Sequence, residues 1–187
     1  MGWRLAAATI ATLLASVPQA HADNFFADFQ TICLDTHAST AEAIATADRL
    51  GWMPMSQAML HMYRPDVREA APQGRVRSTK KGVYFLLATQ GDIGDIPGLR
   101  GHACAIGLRG DEAPDFMKTV AAFAGVPRDP YWVRRTVYVW REVDGKHVAV
   151  HHNDLEFLSL AENGSLNVLG FQIRDKVSMI AFGIPSK

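Results

Sequence analysis

The stretch Gly101–Leu108, Gly-His-Ala-Cys-Ala-Ile-Gly-Leu, is short and nearly apolar, which is typical of a buried strand. It contains Cys104, one of only two cysteines in the chain of 187 residues. The other, Cys33, lies 71 positions earlier, in a segment whose apolar residues recur at helical spacing. If the two cysteines are bonded, this strand is where the N-terminal helices are attached to the rest of the fold.

The first 22 residues have the pattern of a secretory signal. Arg4 supplies a positive charge, Leu5–Val17 is an apolar run, and Ala20-His21-Ala22 matches an A-x-A cleavage site. The run is too short to cross a bilayer as a helix, so an uncleaved anchor is the weaker interpretation. We predict cleavage after Ala22, a periplasmic or secreted mature protein, and no membrane span after cleavage.

The mature chain is predicted to be a single domain over residues 23–187. Removing 22 residues leaves 165, which is enough for one domain with a proper core. The signal contains one basic and no acidic residue, so 18 Lys and Arg remain against 19 Asp and Glu. This balance excludes a general attraction to nucleic acid.

Two cysteines in an exported chain predict one disulfide, between Cys33 and Cys104. The alternative is two free thiols, of which Cys104 could pair with His102 as a nucleophile and base. Two residues apart on a strand, however, their Cβ atoms would be about 7 Å apart, which is long for a working pair. The disulfide is the favoured interpretation.

Turn and cap signals divide the chain into elements. Ser39-Thr40-Ala41-Glu42 is a capping box, in which the side chains of Ser39 and Glu42 bind each other's main-chain N–H groups. It predicts a helix that Gly51 ends. Asp144-Gly145 and Asn163-Gly164 each predict a two-residue hairpin turn.

The order of the elements predicts the fold class. Helices come first, then two strands and a helix, then about five antiparallel strands, which favours an α+β fold. We expect N-terminal helices packed on a mainly antiparallel sheet, with one further helix and a C-terminal β-meander. The predicted helices cover residues 24–37, 39–50, 54–63 and 112–124; the strands cover 82–89, 101–108, 131–143, 146–152, 155–160, 166–173 and 177–184; residues 64–81 and 90–100 are loops.

One candidate site lies on the hairpin at Asp144-Gly145. Counting back from this turn places Glu142 opposite His147 and Tyr138 opposite His151. Alternation then brings Glu142, His147 and His151 to one face of the sheet. Two histidines and a carboxylate on one face could hold zinc or act as acid and base. The competing interpretation is a solvated sheet face with ordinary cross-strand pairs.

A second candidate is a cluster of methionines. Met53, Met55, Met59 and Met62 fall within ten residues, together with His61. Thioethers are soft ligands that favour Cu(I), so a copper site is one hypothesis. On a helix Met55, Met59 and Met62 would share a face, and such a stripe is usually core packing.

The connection over residues 64–81 is strongly basic. It could contact anionic polymers or lipid headgroups, although a run of charge is most often a solvated loop. Its basic residues are Arg64, Arg68, Arg75, Arg77, Lys80 and Lys81.

Three short motifs resemble those of small exported proteins of Gram-negative bacteria. They are Phe29–Cys33, Gly51-Trp52 and the strand His102–Cys104, together with the export signal. The resemblance implies a periplasmic location and a disulfide, and it brings no activity and no catalytic residues.

These observations favour a non-enzymatic domain that binds a small ligand or an envelope protein through its sheet face or its basic loop. One alternative is a hydrolase or metal-dependent enzyme that uses Glu142, His147 and His151. The other is a copper-handling protein that uses Met55, Met59 and Met62.

Overall fold

The computed structural model describes residues 24–63, 73–92, 100–110, 116–133, 135–174 and 176–186. The predicted signal over residues 1–22 lies outside them. In the described residues the helices are α1 (Phe25–Phe29), which runs on into a π-helical turn (Gln30–Leu34), α2 (Thr40–Arg49), α3 (Gln57–Tyr63), α4 (Met117–Ala124) and α5 (Phe157–Glu162). The strands are β1 (Met53–Pro54), β2 (Gln73–Thr79), β3 (Gly82–Asp92), β4 (Arg100–Arg109), β5 (Thr136–Val143), β6 (Lys146–Ala149), β7 (Asn167–Arg174) and β8 (Val177–Ser186).

All eight strands form one sheet, in the order β1-β2-β3-β4-β8-β7-β5-β6. Every neighbouring pair is antiparallel. Strand β4, which contains Cys104, lies in the middle. The last strand of the chain, β8, lies inside the sheet and pairs with β4 on one side and β7 on the other. The α+β class is therefore confirmed.

The main core lies between one face of this sheet and helices α1, α2 and α4. Inward-facing residues of the central strands, such as Ile106 and Ile180, are fully buried against the helices. Cys33 in the π-helical turn and Cys104 on β4 form a disulfide, with Cα atoms 5.3 Å apart and both residues 0 % exposed. The disulfide therefore attaches the N-terminal helices to the middle of the sheet, and no thiol remains at Cys104 for a nucleophile.

The strongest turn signals are borne out. Helix α2 follows Ser39, and Gly51 ends it in the left-handed conformation at φ 78°. The Ser39 side chain makes no capping hydrogen bond, so the predicted start is correct while the predicted cap bond is absent. Asp144 and Gly145 have φ of 50° and 70°, as a type I′ hairpin turn between β5 and β6 requires.

The predicted loop over residues 64–81 is wrong in its second half. Residues 64–72 lie outside the described residues, but 73–79 form strand β2, which pairs with β3. The alternation explains it: Arg75 and Arg77 point to the helices, whereas Val76 packs on the opposite face. The two arginines bind carboxylates of the helical layer instead of facing solvent.

The predicted strand 155–160 is also wrong. Helix α5 is there instead, because Phe157 and Ala161 are four residues apart and bury one helical face. The expected hairpin at Asn163-Gly164 is the end of this helix: the Ser165 N–H donates to the carbonyl of Leu160, and Gly164 has φ 68°. The C-terminal part is thus two hairpins separated by a helix, not a continuous meander.

Other boundaries shift by a few residues. Helix α3 begins at Gln57 rather than Pro54, since Met53 and Pro54 pair with β2. The strand predicted from residue 131 begins at Thr136, β6 ends at Ala149 rather than 152, and β3 extends to Asp92. The start of the helix predicted over 112–124 falls on residues 111–115, outside the described part, and α4 covers the rest.

The second face of the sheet carries two smaller cores. Helix α3 covers Phe85 and Leu87 at the β1–β3 end. Helix α5 covers Val137 and Val139 at the β5–β7 end, together with Val150. No helix among the described residues is long and apolar enough to cross a membrane.

Candidate functional site

The predicted histidine face is only partly assembled. Glu142 and His147 are opposite each other in the β5–β6 register, as predicted. The Nδ1 atom of His147 lies 2.9 Å from the carbonyl oxygen of Ala124, at the end of α4. Its ring stacks on Trp140 at 4.7 Å between centroids. His147 is thus fixed against the helical layer rather than presented to a ligand.

His151, the third member of that proposed set, lies beyond the end of β6. Its main-chain N–H donates to Oδ2 of Asp154 at 2.6 Å, which starts a turn instead of continuing the strand. No group of three His, Cys, Asp or Glu side chains within the described ranges is close enough to hold a metal ion. Glu142, His147 and His151 therefore do not converge on one point.

Two of the predicted copper-binding methionines serve as core. Met55 is buried and Met59 packs beside it, against Leu60 and Phe85. Met55 precedes α3 rather than lying on it, because the helix begins only at Gln57. The expected helical stripe of Met55, Met59 and Met62 therefore does not include Met55, although Met55 and Met59 are packed in a core, as such a stripe was expected to be.

The basic connection is used partly for internal contacts. Arg75 forms an ion pair with Asp48 of α2 at 2.6 Å. Arg77 pairs with Asp28 of α1. Of the other basic residues, Arg64 and Arg68 fall outside the described residues, and Lys80 and Lys81 form the turn between β2 and β3.

Asp129, which the sequence did not single out, ties two loops together at the β5–β6 end of the molecule. This buried side chain accepts hydrogen bonds from the main-chain N–H of Tyr131 at 3.0 Å and of His152 at 3.1 Å. The Asp129 N–H itself donates to the carbonyl of Val137 on β5, at 2.9 Å. The segments before β5 and after β6 are therefore fixed to each other and to the sheet.

Aromatic contacts reinforce this junction. The rings of Tyr131 and His152 stack at 3.7 Å with 18° between their planes. His152 in turn meets the ring of Phe157, the first residue of α5, at 4.9 Å. Trp132 packs on the smaller core beneath α5. These contacts place Tyr131 and Trp132 beside His152 and Phe157, so the two segments share one part of the surface.

That surface exposes an unusual amount of apolar side chain. The exposed fractions are 49 % for Tyr131, 83 % for Val133, 105 % for Leu155 and 60 % for Leu158. Four of the nine large hydrophobic side chains that are exposed in the described parts of the chain belong to these two segments. We refer to Tyr131, Val133, Leu155 and Leu158 as the apolar patch.

Helix α5 shows why two of these side chains face solvent. Phe157 and Ala161 take its buried face, so Leu158 points outward, and Leu155 precedes the helix in a turn. The sequence signal was present, since residues 155–160 contain more apolar residues than one face of a six-residue helix can bury. The prediction of a strand missed this signal, because a short apolar run is compatible with a strand as well as with a helix.

Charged residues of both signs lie close to the patch residues in sequence. Arg128, Arg135, Asp154 and Glu156 are all exposed. Glu156 also pairs with Arg141 of β5 at 3.4 Å. An apolar centre with polar and charged residues of both signs around it is typical of a protein–protein interface.

Comparison of the chain with models of known protein families, with curated proteins and with solved structures found no match.

Proposed function

We propose that the mature chain is an exported, non-enzymatic binding domain that contacts a protein partner through the apolar patch. The observation that carries this proposal is the exposure of four large apolar side chains on the two segments that Asp129 and the Tyr131–His152 stack hold together. Contiguous apolar surface rimmed by polar residues marks interaction sites in soluble proteins, whereas single exposed hydrophobic residues are ordinary.

The rigidity of the surface supports a binding role. Asp129 holds both loops through main-chain hydrogen bonds, and the Tyr131–His152 stack fixes the first side chain of the patch. A surface that is ordered before it meets its partner loses less conformational entropy on binding. Patch residues on such a frame are suited to specific rather than adaptable recognition.

The export part of the proposal is supported by the signal pattern before Asp23 and by the buried disulfide. Structural disulfides persist in oxidising compartments such as the periplasm and are rare in the cytosol. An envelope protein is therefore the class of partner that we expect. A hydrolase or a copper carrier receives no comparable support from the placement of His151 or Met55 described above.

Site-specific photocrosslinking would test the patch. A photoreactive amino acid replaces Leu158 in the full chain, which is expressed and exported in a Gram-negative host. The control places the same group at Met53, which is exposed at the opposite end of the sheet. We expect one defined crosslinked protein at position 158 and none at position 53, identified by mass spectrometry.

The affinity of the purified crosslinked partner for the mature chain then distinguishes a specific interaction from an adventitious crosslink. Leu155→Asp and Leu158→Asp should each weaken the affinity at least tenfold, since a charge is placed in an apolar contact, while Met53→Asp should leave it unchanged. Equal affinities for all three variants, or identical crosslinks at both positions, would overturn the proposal.

A further inference from the structure

Strand β6 is the last strand of the sheet, and its outer edge faces away from β5. In an antiparallel pair, alternate residues direct their main-chain N–H and C=O groups to one neighbour and then to the other. The N–H of Val150 donates to the carbonyl of Val139 on β5, so residues 146, 148 and 150 bond inward. His147 and Ala149 therefore direct their main-chain groups outward.

The side chains of this edge differ between its two faces. His147 packs on Trp140, on the face that the helices cover. Val148 lies on the opposite face, across from Arg141, and is 39 % exposed. An apolar side chain thus lies at the centre of the edge, between two residues whose main-chain groups point outward.

We propose that β6 pairs with β6 of a second copy of this chain, antiparallel, about a two-fold axis through Val148. In that register His147 lies opposite the second copy's Ala149, and all outward N–H and C=O groups of both residues find partners. Val148 meets the second copy's Val148 in a pair without main-chain bonds between them, where side chains approach most closely. Two-fold pairing of identical surfaces is the commonest way in which soluble chains associate.

The charges along the edge match this arrangement. Lys146 stands at one end of β6, whereas Asp154 and Glu156 follow the other end. Antiparallel pairing keeps the two Lys146 side chains apart, since each lies opposite residue 150 of the other copy. Parallel pairing in register would bring Lys146 next to the second copy's Lys146.

This inference goes beyond the proposed function, because the occupant is a second copy and the contact is the main-chain edge of β6. Pairing would also hide an open sheet edge, which natural proteins otherwise protect against uncontrolled association. The short length of β6 limits the number of hydrogen bonds, so an extended segment of another protein is the competing occupant and an outcome of the test.

A single introduced cysteine tests the position of the axis. Cys33 and Cys104 are bonded to each other, so Val148→Cys gives purified mature protein with one free thiol. Mild oxidation should convert most of it to a disulfide-linked dimer, seen on a non-reducing gel. Lys146→Cys is the matched control, since four residues separate it from its counterpart along the strand, or about 13 Å. Ile173→Cys, exposed on β7, is the second control.

The molar mass of the protein in solution is a second test of the dimer, and it requires no introduced cysteine. Light scattering on the wild-type mature chain should give twice the monomer mass at high concentration. Ala149→Pro should restore the monomer, because it removes an outward N–H without touching the bonds to β5. Crosslinking at 148 but not at 146 or 173 supports the pairing. A monomeric wild type, no crosslink at 148, or equal crosslinks at all three positions would overturn it, and would leave the patch experiment unaffected.

Discussion

Arg77 on β2 donates a hydrogen bond to the carboxylate of Asp28 in α1, inside the layer where the helices meet the sheet. Both side chains are largely buried. The guanidinium group also lies 4.9 Å from the centre of the Trp52 ring and 5.4 Å from that of Tyr84. The guanidinium group of Arg77 therefore lies at the edge of the main core, where loss of its ion pair with Asp28 should lower the stability of the fold.

Arg77→Met should destabilise the protein by about 3 kcal/mol, because it removes a hydrogen-bonded cation from the buried carboxylate of Asp28. Chemical unfolding measures the loss. The matched control is Arg75→Met, whose partner Asp48 is about half exposed, and which should cost at most about 1 kcal/mol. The double variant Asp28→Leu with Arg77→Met should recover much of the loss, since no buried charge then remains. Equal effects of the two arginine variants would contradict this.

Removal of the disulfide should lower stability substantially. The bond closes a loop of 71 residues, which is worth about 4 kcal/mol in the chain-entropy model. For a domain of this size Cys33→Ala with Cys104→Ala should lower Tm by roughly 10 °C. Non-reducing peptide mapping should find the two cysteines in one linked pair. Because both are fully buried, reductant should open the bond only in denaturant; rapid reduction of the folded protein would contradict the structure.

The ion pair of Asp48 and Arg75 predicts a weak pH dependence. The hydrogen bond from Arg75 holds the pKa of Asp48 below its ordinary value. A lowered pKa stabilises the fold above the unfolded pKa of about 3.9, and this contribution is lost as pH falls through the folded value. The stability difference between wild type and Asp48→Asn should therefore be constant above about pH 5 and shrink below about pH 4.

The size of that difference should be a few tenths of a kcal/mol, since Asp48 is about half exposed and the pair is screened by salt. Unfolding curves at pH 3 and pH 6, each at low and high ionic strength, would measure it. A difference that grew on acidification would show that Asp48 is not stabilised as its contact with Arg75 implies.

Gly107→Ala should be destabilising because Phe85 occupies the space of the new methyl group. A Cβ built at Gly107 would lie 1.9 Å from the Cζ atom of Phe85, its cross-strand neighbour. Forcing the ring aside should cost about 1–3 kcal/mol. Gly170→Ala is the control on the same face, where the nearest atom would be a Val137 methyl at 3.6 Å, an ordinary contact. Phe85→Leu should relieve part of the effect in the double variant.

Processing after Ala22 is a separate prediction from the sequence. N-terminal sequencing of exported protein should begin at Asp23. Ala22→Leu should block cleavage, because the site needs a small residue there, while His21→Gln at the intervening position should be processed normally. A mature protein that retained residues 1–22 would refute the signal.

Local chemistry made part of the fold predictable. Gly51 ends α2 and Asp144-Gly145 turns β5 into β6 because each signal acts within a few residues and needs no tertiary partner. The pairing of Cys33 with Cys104 could be predicted because the chain has only two cysteines and begins with the pattern of an export signal. The α+β fold class was predicted from the order of helices and strands, and one wrongly predicted element does not change that class.

The errors have a common physical origin in tertiary contacts. Strand β2 was missed because its arginines looked solvated, while their partners Asp28 and Asp48 lie on helices far away in sequence. Helix α5 was missed because a short apolar run is compatible with the spacing of a helix and with that of a strand. Only the packing of the run against the rest of the fold decides between them. The Asp129 junction was not predicted for the same reason, since the hydrogen bond that joins its two loops connects Asp129 with His152, 23 positions away.

The position of β8 has a consequence for how the sheet is assembled. Strands β1–β4 follow one another in the chain and pair with one another. Strands β5–β7 form a second group, and β8 lies between this group and β4. Without β8 the strands would form two partial sheets, each with an open edge. The pairing of β8 with β4 and β7 is therefore what makes the two groups one sheet.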